Sequence, residues 1–302
     1  MFAELVLRRA AAMVFAAVVV GASAPADARI ARPSAEARSG PGRAEPPARS
    51  GPIDRAERTT IAARIAYVRE SDDGRRRAYV ASARGDDELA VTVGDGDTYP
   101  AGATPDGALV VLRAEDHGSV HEESLLRVEV ATGAQRELGR ATRIRNPAIA
   151  RDGAIAFESD ASSFRDLFVI RGAAGPATRL TDDPEGNYEP SFFPDGRTIA
   201  FTSSRDGEAE VYAMSIDGRE VRRLTSAHGD DMRPLAAPEG GRIAFISGRT
   251  GQDRIFVMGL DGQGQRPVRR GAGDESEREH AWSPDGRRLV FVARGGPASK
   301  SR

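Results

Sequence analysis

The chain has 302 residues, 29% of them charged, and a formal net charge of −2 at pH 7. That length accommodates a signal segment plus one large domain or two small ones, and the near-neutral balance excludes a general electrostatic affinity for nucleic acid or an anionic membrane surface. Cysteine is absent, which excludes disulfides, thiol catalysis, thiolate metal sites and a lipid anchor on an N-terminal cysteine.

The N-terminus reads as an export signal. Arg8 and Arg9 precede an apolar run from Ala10 to Ala22, and Ala26-Asp27-Ala28 fits the small-x-small cleavage pattern. The run falls short of the roughly 20 residues that a spanning helix needs. Residues 1–28 are therefore expected to be removed, leaving no membrane span and a periplasmic or secreted chain. Residues 29–58 are rich in Pro, Gly, Ser, Ala and alternating charges. Such a stretch cannot bury enough surface to offset its chain entropy and reads as a linker.

From about residue 61 the sequence repeats. Segments beginning at Glu189, Arg233 and Glu279 read EPSFFPDGRTIAFTSSRDG, RPLAAPEGGRIAFISGRTG and EHAWSPDGRRLVFVARGG. Weaker copies start at Asn146 and Pro100, and a partial copy starts at Arg64. The residue closing each short apolar run is Tyr67, Leu112, Phe157, Phe201, Phe245 and Phe291, at intervals of 45, 45, 44, 44 and 46. A period near 44 fits the four-stranded blade of a propeller. Within one repeat, Pro190–Phe193, Thr198–Thr202, Glu210–Met214 and Arg223–Thr225 read as four short strands. They are separated by Pro194-Asp195-Gly196, Ser204-Arg205-Asp206-Gly207 and Asp217-Gly218. In such turns Pro presets φ, Asp caps its own turn and Gly accepts positive φ. The predicted fold is all-β, a propeller over residues 59–296 followed by a tail at 297–302. Six blades with incomplete terminal ones are favoured, and five with a shared closing blade is the alternative. The first copy is expected to supply second, third and fourth strands, and the last copy first and second strands.

The PDG-x-x-IAF element, the third strand bounded by Asp-Gly, and the endings Arg179-Leu180-Thr181 and Arg223-Leu224-Thr225 resemble the PD40 repeat of the TolB-type β-propeller. The resemblance implies a scaffold that works by binding. The linker stands where that family carries an α/β domain, and the chain stops soon after Phe291, where the family adds a closing strand.

No Gly-x-Ser-x-Gly nucleophile elbow is present. His117 and His121, beside Asp116, Glu122 and Glu123, have a spacing that pairs metal ligands on a helix but not on a hairpin loop. They read as a solvated loop. The acidic strings at Asp86-Asp87-Glu88 and Gly94-Asp95-Gly96-Asp97 do not match a calcium loop. No cofactor, metal or catalytic residue is predicted. Loops on a rigid scaffold are the natural contact surface. The residues leading into successive inner strands include Tyr99, Arg145, Asn146, Asn187, Tyr188, Glu189, Asp231, Arg233, Glu277 and Arg278. His280 takes the place held elsewhere by Pro147, Pro190 and Pro234. Aromatic, Met and Arg side chains of this kind are enriched at interfaces. These residues are the candidate binding set for a protein or peptide partner in the cell envelope. An enzyme with a site in the central channel, a lyase or glycan hydrolase, is the alternative. N-terminal sequencing of the exported protein is expected to start at Arg29, and an intact Met1 in the mature fraction would contradict the export signal.

Overall fold

The computed structural model describes residues 18–20, 64–82, 88–91, 95–104, 106–117, 120–160, 164–172, 175–269, 275–283 and 285–295. The linker and most of the apolar N-terminal run lie outside them. All regular structure among the described residues is β, in six antiparallel sheets whose strands follow chain order. Sheet 1 holds β1 (Val18–Val20), β2 (Arg64–Glu70), β3 (Arg76–Ser82) and β4 (Leu89–Ala90). Sheet 2 holds β5 (Asp97–Ala103), β6 (Leu109–His117), β7 (Val120–Val128) and β8 (Gln135–Ala141). Sheet 3 holds β9 (Arg145–Ile149), β10 (Ile155–Ser159), β11 (Asp166–Ile170) and β12 (Thr178–Arg179). Sheet 4 holds β13 (Asn187–Phe192), β14 (Thr198–Ser203), β15 (Glu210–Ser215) and β16 (Arg222–Arg223). Sheet 5 holds β17 (Asp231–Ala236), β18 (Ile243–Ser247), β19 (Arg254–Met258) and β20 (Arg266–Pro267). Sheet 6 holds only β21 (Ser276–Trp282) and β22 (Leu289–Arg294). The incomplete last copy matches the expectation. The first copy gains an inner strand, because Val18–Val20 pairs with Arg64–Ala66.

The turn chemistry explains the repeated Asp-Gly pairs. Asp195 Oδ1 accepts the Arg197 and Thr198 N–H groups at 2.8 and 2.9 Å. Gly218 has φ of 78°, and a Cβ there would meet the Leu180 carbonyl oxygen of the previous sheet at 2.7 Å. Glycine is thus required at this position both by backbone conformation and by the closeness of the neighbouring sheet.

The sheets interlock through the second strands. Phe157, Phe201 and Phe245 are fully buried. Phe201 shares a cluster with Ala156 of sheet 3, Phe245 with Ala200 of sheet 4, and Phe291 with Ala244 of sheet 5. The Ile-Ala-Phe pattern therefore points large residues back and a small one forward. In sheet 2, Val111 and not Leu112 faces back toward sheet 1, while Leu112 joins the Phe157 cluster. The sequence alignment was one residue out there, and on a strand a slip of one exchanges the faces. Cross-strand aromatic pairs add to this core: Phe157–Phe168, Phe201–Tyr212 and Phe245–Phe256 lie 5.8, 5.8 and 5.9 Å apart. Five clusters link the six sheets in chain order, and among the described residues none links sheet 6 back to sheet 1.

The Arg-Leu-Thr endings are clamps. Thr181 Oγ1 accepts the Leu167 N–H at 2.9 Å and donates to Asp166 Oδ1 at 2.9 Å, while Arg179 reaches Asp166 Oδ2 at 2.6 Å. Thr225 repeats the pattern on Val211 N–H and Glu210, with Arg223 as the cation. In sheet 5 the polarity is reversed: Arg254 stands at the acid position and Glu277 of the next sheet supplies the carboxylate, 3.7 Å away. Each clamp satisfies a buried charge that would otherwise be costly.

Candidate functional site

Neighbouring inner strands run side by side in register, so their first residues collect at one end. The Arg233 N–H donates to Glu189 Oε2 at 2.9 Å, and the Ala236 N–H donates to Ser191 Oγ at 3.1 Å, each across one repeat. Four of these strands share a distortion. Asn146, Glu189, Arg233 and Glu279 have φ of 44°, 55°, 56° and 52°, and each sits where the pairing register of its strand shifts. Left-handed conformations at non-glycine residues are uncommon and cluster at functional sites. The bulge also lets pairing begin ahead of Pro190, so β13 starts at Asn187, three residues before the position expected from sequence.

The distorted residues join into one polar chain across three sheets. Asn146 Nδ2 donates to Glu158 Oε1 at 2.6 Å, and the Glu189 N–H donates to the same oxygen at 2.5 Å. Thr202 Oγ1 donates to Glu189 Oε2 at 3.0 Å, and Arg233 Nε donates to Glu189 Oε1 at 3.1 Å. Arg165 stands 3.7 Å from Glu158 Oε2 and lies over the Tyr188 ring at 5.2 Å from its centroid. Glu158 is fully buried. Burial raises its carboxyl above the usual carboxylate range, against the pull of its Asn146 and Glu189 hydrogen bonds.

The sequence candidates divide into two groups. Asn146, Tyr188, Glu189, Arg233, Arg278 and His280 lie on or beside this end of the inner strands, with Arg233 and Arg278 side chains 45% and 66% exposed. Arg278 pairs with Asp253 at 2.7 Å, and the Tyr188 hydroxyl donates to the Glu185 carbonyl at 3.0 Å. Asn187, Asp231 and Glu277 are enclosed instead, at no more than 1% exposure. Asn187 Oδ1 accepts Arg205 Nη2 at 2.9 Å, Asp231 pairs with Arg249 at 2.7 Å, and Glu277 Oε2 accepts the Ile255 N–H at 3.0 Å. These three serve the junctions between sheets. Tyr99 is half-buried, its hydroxyl donating to Asp97 at 3.1 Å and accepting from Arg76 at 3.2 Å. Arg145 is partly buried at the start of β9, opposite Glu158.

Sequence reasoning missed Glu158, Thr202 and Arg165. The available signal was the residue after each closing aromatic: Glu158, Thr202, Ile246 and Val292. A carboxylate stands there in one copy alone among these four. His117 and Val120 are paired across the β6–β7 hairpin, so the segment expected as a loop continues the ladder. Among the described residues, no three His, Asp or Glu side chains gather in a way that could hold a metal ion.

Both ring nitrogens of His280 are enclosed. Burial pushes its pKa down to about 4, and the nearby Arg233 guanidinium acts in the same direction. Between the ordinary value of 6.5 and about 4, the unfolded chain takes up a proton here that the folded chain refuses. The contribution to stability is therefore present above pH 6.5 and is lost as pH falls through that window. The urea midpoint should drop further between about pH 7 and about pH 4.5 in the unsubstituted protein than in His280→Gln. An equal drop in both would contradict the assignment.

The TolB beta propeller domain family matches residues 57–300. The Tol-Pal system protein TolB of Bordetella pertussis is 42% identical over 50 residues, which make up 17% of this chain and 11% of that protein. The matched stretch thus spans about a tenth of that relative's length. The crystal structure of TolB from Acinetobacter baumannii superposes with a TM-score of 0.58 at 19% identity, covering 76% of this chain and 63% of that one. Oligogalacturonate lyase from Vibrio parahaemolyticus gives 0.54 at 16% identity, covering 74% and 65%. At such identities the likeness concerns the fold alone. With a family match over residues 57–300, and repeats, turns and clamps that account for the motif, the chain belongs to the TolB beta propeller domain family.

Proposed function

We propose that the chain is an exported scaffold that binds a protein or peptide partner in the cell envelope through the end of the propeller where the inner strands begin. The observation that carries this reading is the chain Asn146–Glu158–Glu189–Arg233, which holds exposed side chains from successive sheets in fixed register. A rigid polar rim carrying Tyr188, Arg233 and Arg278 supplies the residue types that anchor interfaces. Removal of residues 1–28 on export would take β1 with it and leave β2 as the inner edge of sheet 1. No helix among the described residues is long and apolar enough to cross a membrane.

A second reading, an enzyme acting at the same end, draws on one observation. Glu158 is a buried carboxyl held above the usual carboxylate range, with Arg165 beside it and a neutral His280 near Arg233. Groups with shifted acidity that converge in this way also occur in catalytic sites. The likeness in fold to the oligogalacturonate lyase named above supports keeping this second reading.

One experiment separates the two. Replacing Tyr188, Arg233 and Arg278 together with Ala should lower the thermal midpoint only modestly, because Arg233 and Arg278 are exposed, Tyr188 is only partly buried, and exposed substitutions shift stability by no more than about 0.5 kcal/mol each. The same change should abolish recovery of the envelope partner in a pull-down with the mature protein. Retained recovery would show that the wrong end has been chosen. Turnover of oligogalacturonate that is lost in Glu158→Gln would favour the enzyme.

A further inference from the structure

The bulge N–H groups of sheets 4 and 5 reach back to the sheet before them, and each takes a carboxylate. The Glu189 N–H donates to Glu158 Oε1 at 2.5 Å. The Arg233 N–H donates to Glu189 Oε2 at 2.9 Å, with Thr202 Oγ1 also in range at 3.1 Å. A glutamate at the bulge therefore tolerates a second carboxylate on its own N–H, as Glu189 does. Glu279 repeats the conformation, with φ of 52° against 55° and 56°, at the same register shift. One repeat back from it, Arg233 stands in the place of Glu189 and Ile246 in the place of Thr202. Neither side chain can accept a hydrogen bond. Among the described residues no other side chain accepts from the Glu279 N–H. Arg233 is a cation with room to act: Glu189 is its one carboxylate partner among the described residues, and its side chain is 45% exposed. His280 adds a donor, because it carries an N–H where Pro147, Pro190 and Pro234 carry none. Of the four left-handed bulges, this one alone has two successive N–H groups. Successive N–H groups around a left-handed residue form an anion-binding concavity. At Asn146, the remaining bulge, the corresponding places one repeat back hold Pro100 and Leu112, neither of them a cation.

We propose that the rim between sheets 5 and 6 is a carboxylate-binding site, in which the Glu279 N–H donates to the ligand and Arg233 supplies the countercharge. The ligand class follows from the two preceding copies, where a carboxylate of the chain itself holds the equivalent place. Hydrogen bonds from backbone N–H groups to a carboxylate are charge-assisted and stronger than neutral ones. The carboxylate is carried by the partner, on an Asp or Glu side chain or at a C-terminus. Capture of a C-terminal carboxylate by backbone N–H groups is a general recognition mode. The site rests on the rim-binding reading for the source of its ligand, and its chemistry is measurable without the partner.

The probe is sodium acetate, exchanged for chloride at constant ionic strength and neutral pH, with the backbone amides of the isotopically labelled full-length protein followed by NMR. The Glu279 amide should move downfield and saturate, while the Glu189 and Arg233 amides, already bonded, stay in place. Arg233→Ala should weaken the acetate affinity by about threefold, the range of an exposed ion pair. Arg233→Glu copies Glu189 and should bring the carboxylate from within the chain. Its Glu279 amide then starts at the shifted position, and acetate no longer moves it. N-acetyl-alanine and N-acetyl-aspartate N-methylamide separate a C-terminal source from a side-chain source by which binds more tightly. A Glu279 amide that acetate leaves unmoved, or one that moves equally in the unsubstituted protein and Arg233→Ala, would overturn the proposal. The Arg233→Ala titration decides the matter if Arg233→Glu fails to fold. If acetate binds as expected and the Tyr188/Arg233/Arg278 triple variant still recovers the partner, the site stands and the rim reading fails. If the triple variant loses the partner while acetate leaves Glu279 unmoved, the rim reading stands and the site fails.

Discussion

Between consecutive second strands, a large ring from one sheet shares a buried cluster with an alanine of the sheet before it: Phe201 with Ala156, Phe245 with Ala200, Phe291 with Ala244. Side chains in such close-packed contact have little freedom to slide. The contact fixes the rotation and height of each sheet relative to its neighbour. The inner strands therefore start level, and Glu189 can reach the Arg233 backbone across one repeat. The buried clamps of Thr181 and Thr225 then tie the third strand of a sheet to the segment that follows it. Loss of the interlock would uncouple the rim as well as the core.

The same constraint organises the polar end. A bulge with a left-handed non-glycine residue recurs in four inner strands, and three of these residues, Asn146, Glu189 and Arg233, join through Glu158 into one connected chain instead of separate turns. Glu158 is central to it, because a single buried oxygen receives both Asn146 of its own sheet and the Glu189 N–H of the next. Side chains anchored this way lose little entropy when a partner arrives, which favours binding by a preformed surface.

Much of this was legible in the sequence. The closing aromatics, the Pro-Asp-Gly turns and the Arg-Leu-Thr endings identified strands and repeat before any coordinates, because each has a local physical cause. What the sequence did not reveal was orientation. Asn187 and Asp231 head their strands, Glu277 stands second in its own, and Tyr188, Met232 and Arg278 follow them, yet the pleat turns the first set into the sheet junctions and leaves the second at the surface or only partly buried. Position along a strand fixes the end but not the face. The bulges add a further displacement that period-two reasoning does not contain, and they are the reason β13 starts before Pro190. The one-residue error at Leu112 has a different origin: no aromatic residue closes that run, and counting from the turn glycine as in the next copy, Gly153 to Phe157, puts Val111 at the closing position.

The interlock itself can be measured by a double-mutant cycle on Ala200 and Phe245. Ala200→Val overfills the contact and Phe245→Leu leaves it underfilled, so each alone should lower the urea unfolding free energy. If the two side chains share one packed site, the double variant should be less destabilised than the sum of the singles by about 1 kcal/mol, within the range found for residues in contact. Strict additivity would show that the second strands do not interlock and would remove the basis for a rim held in register.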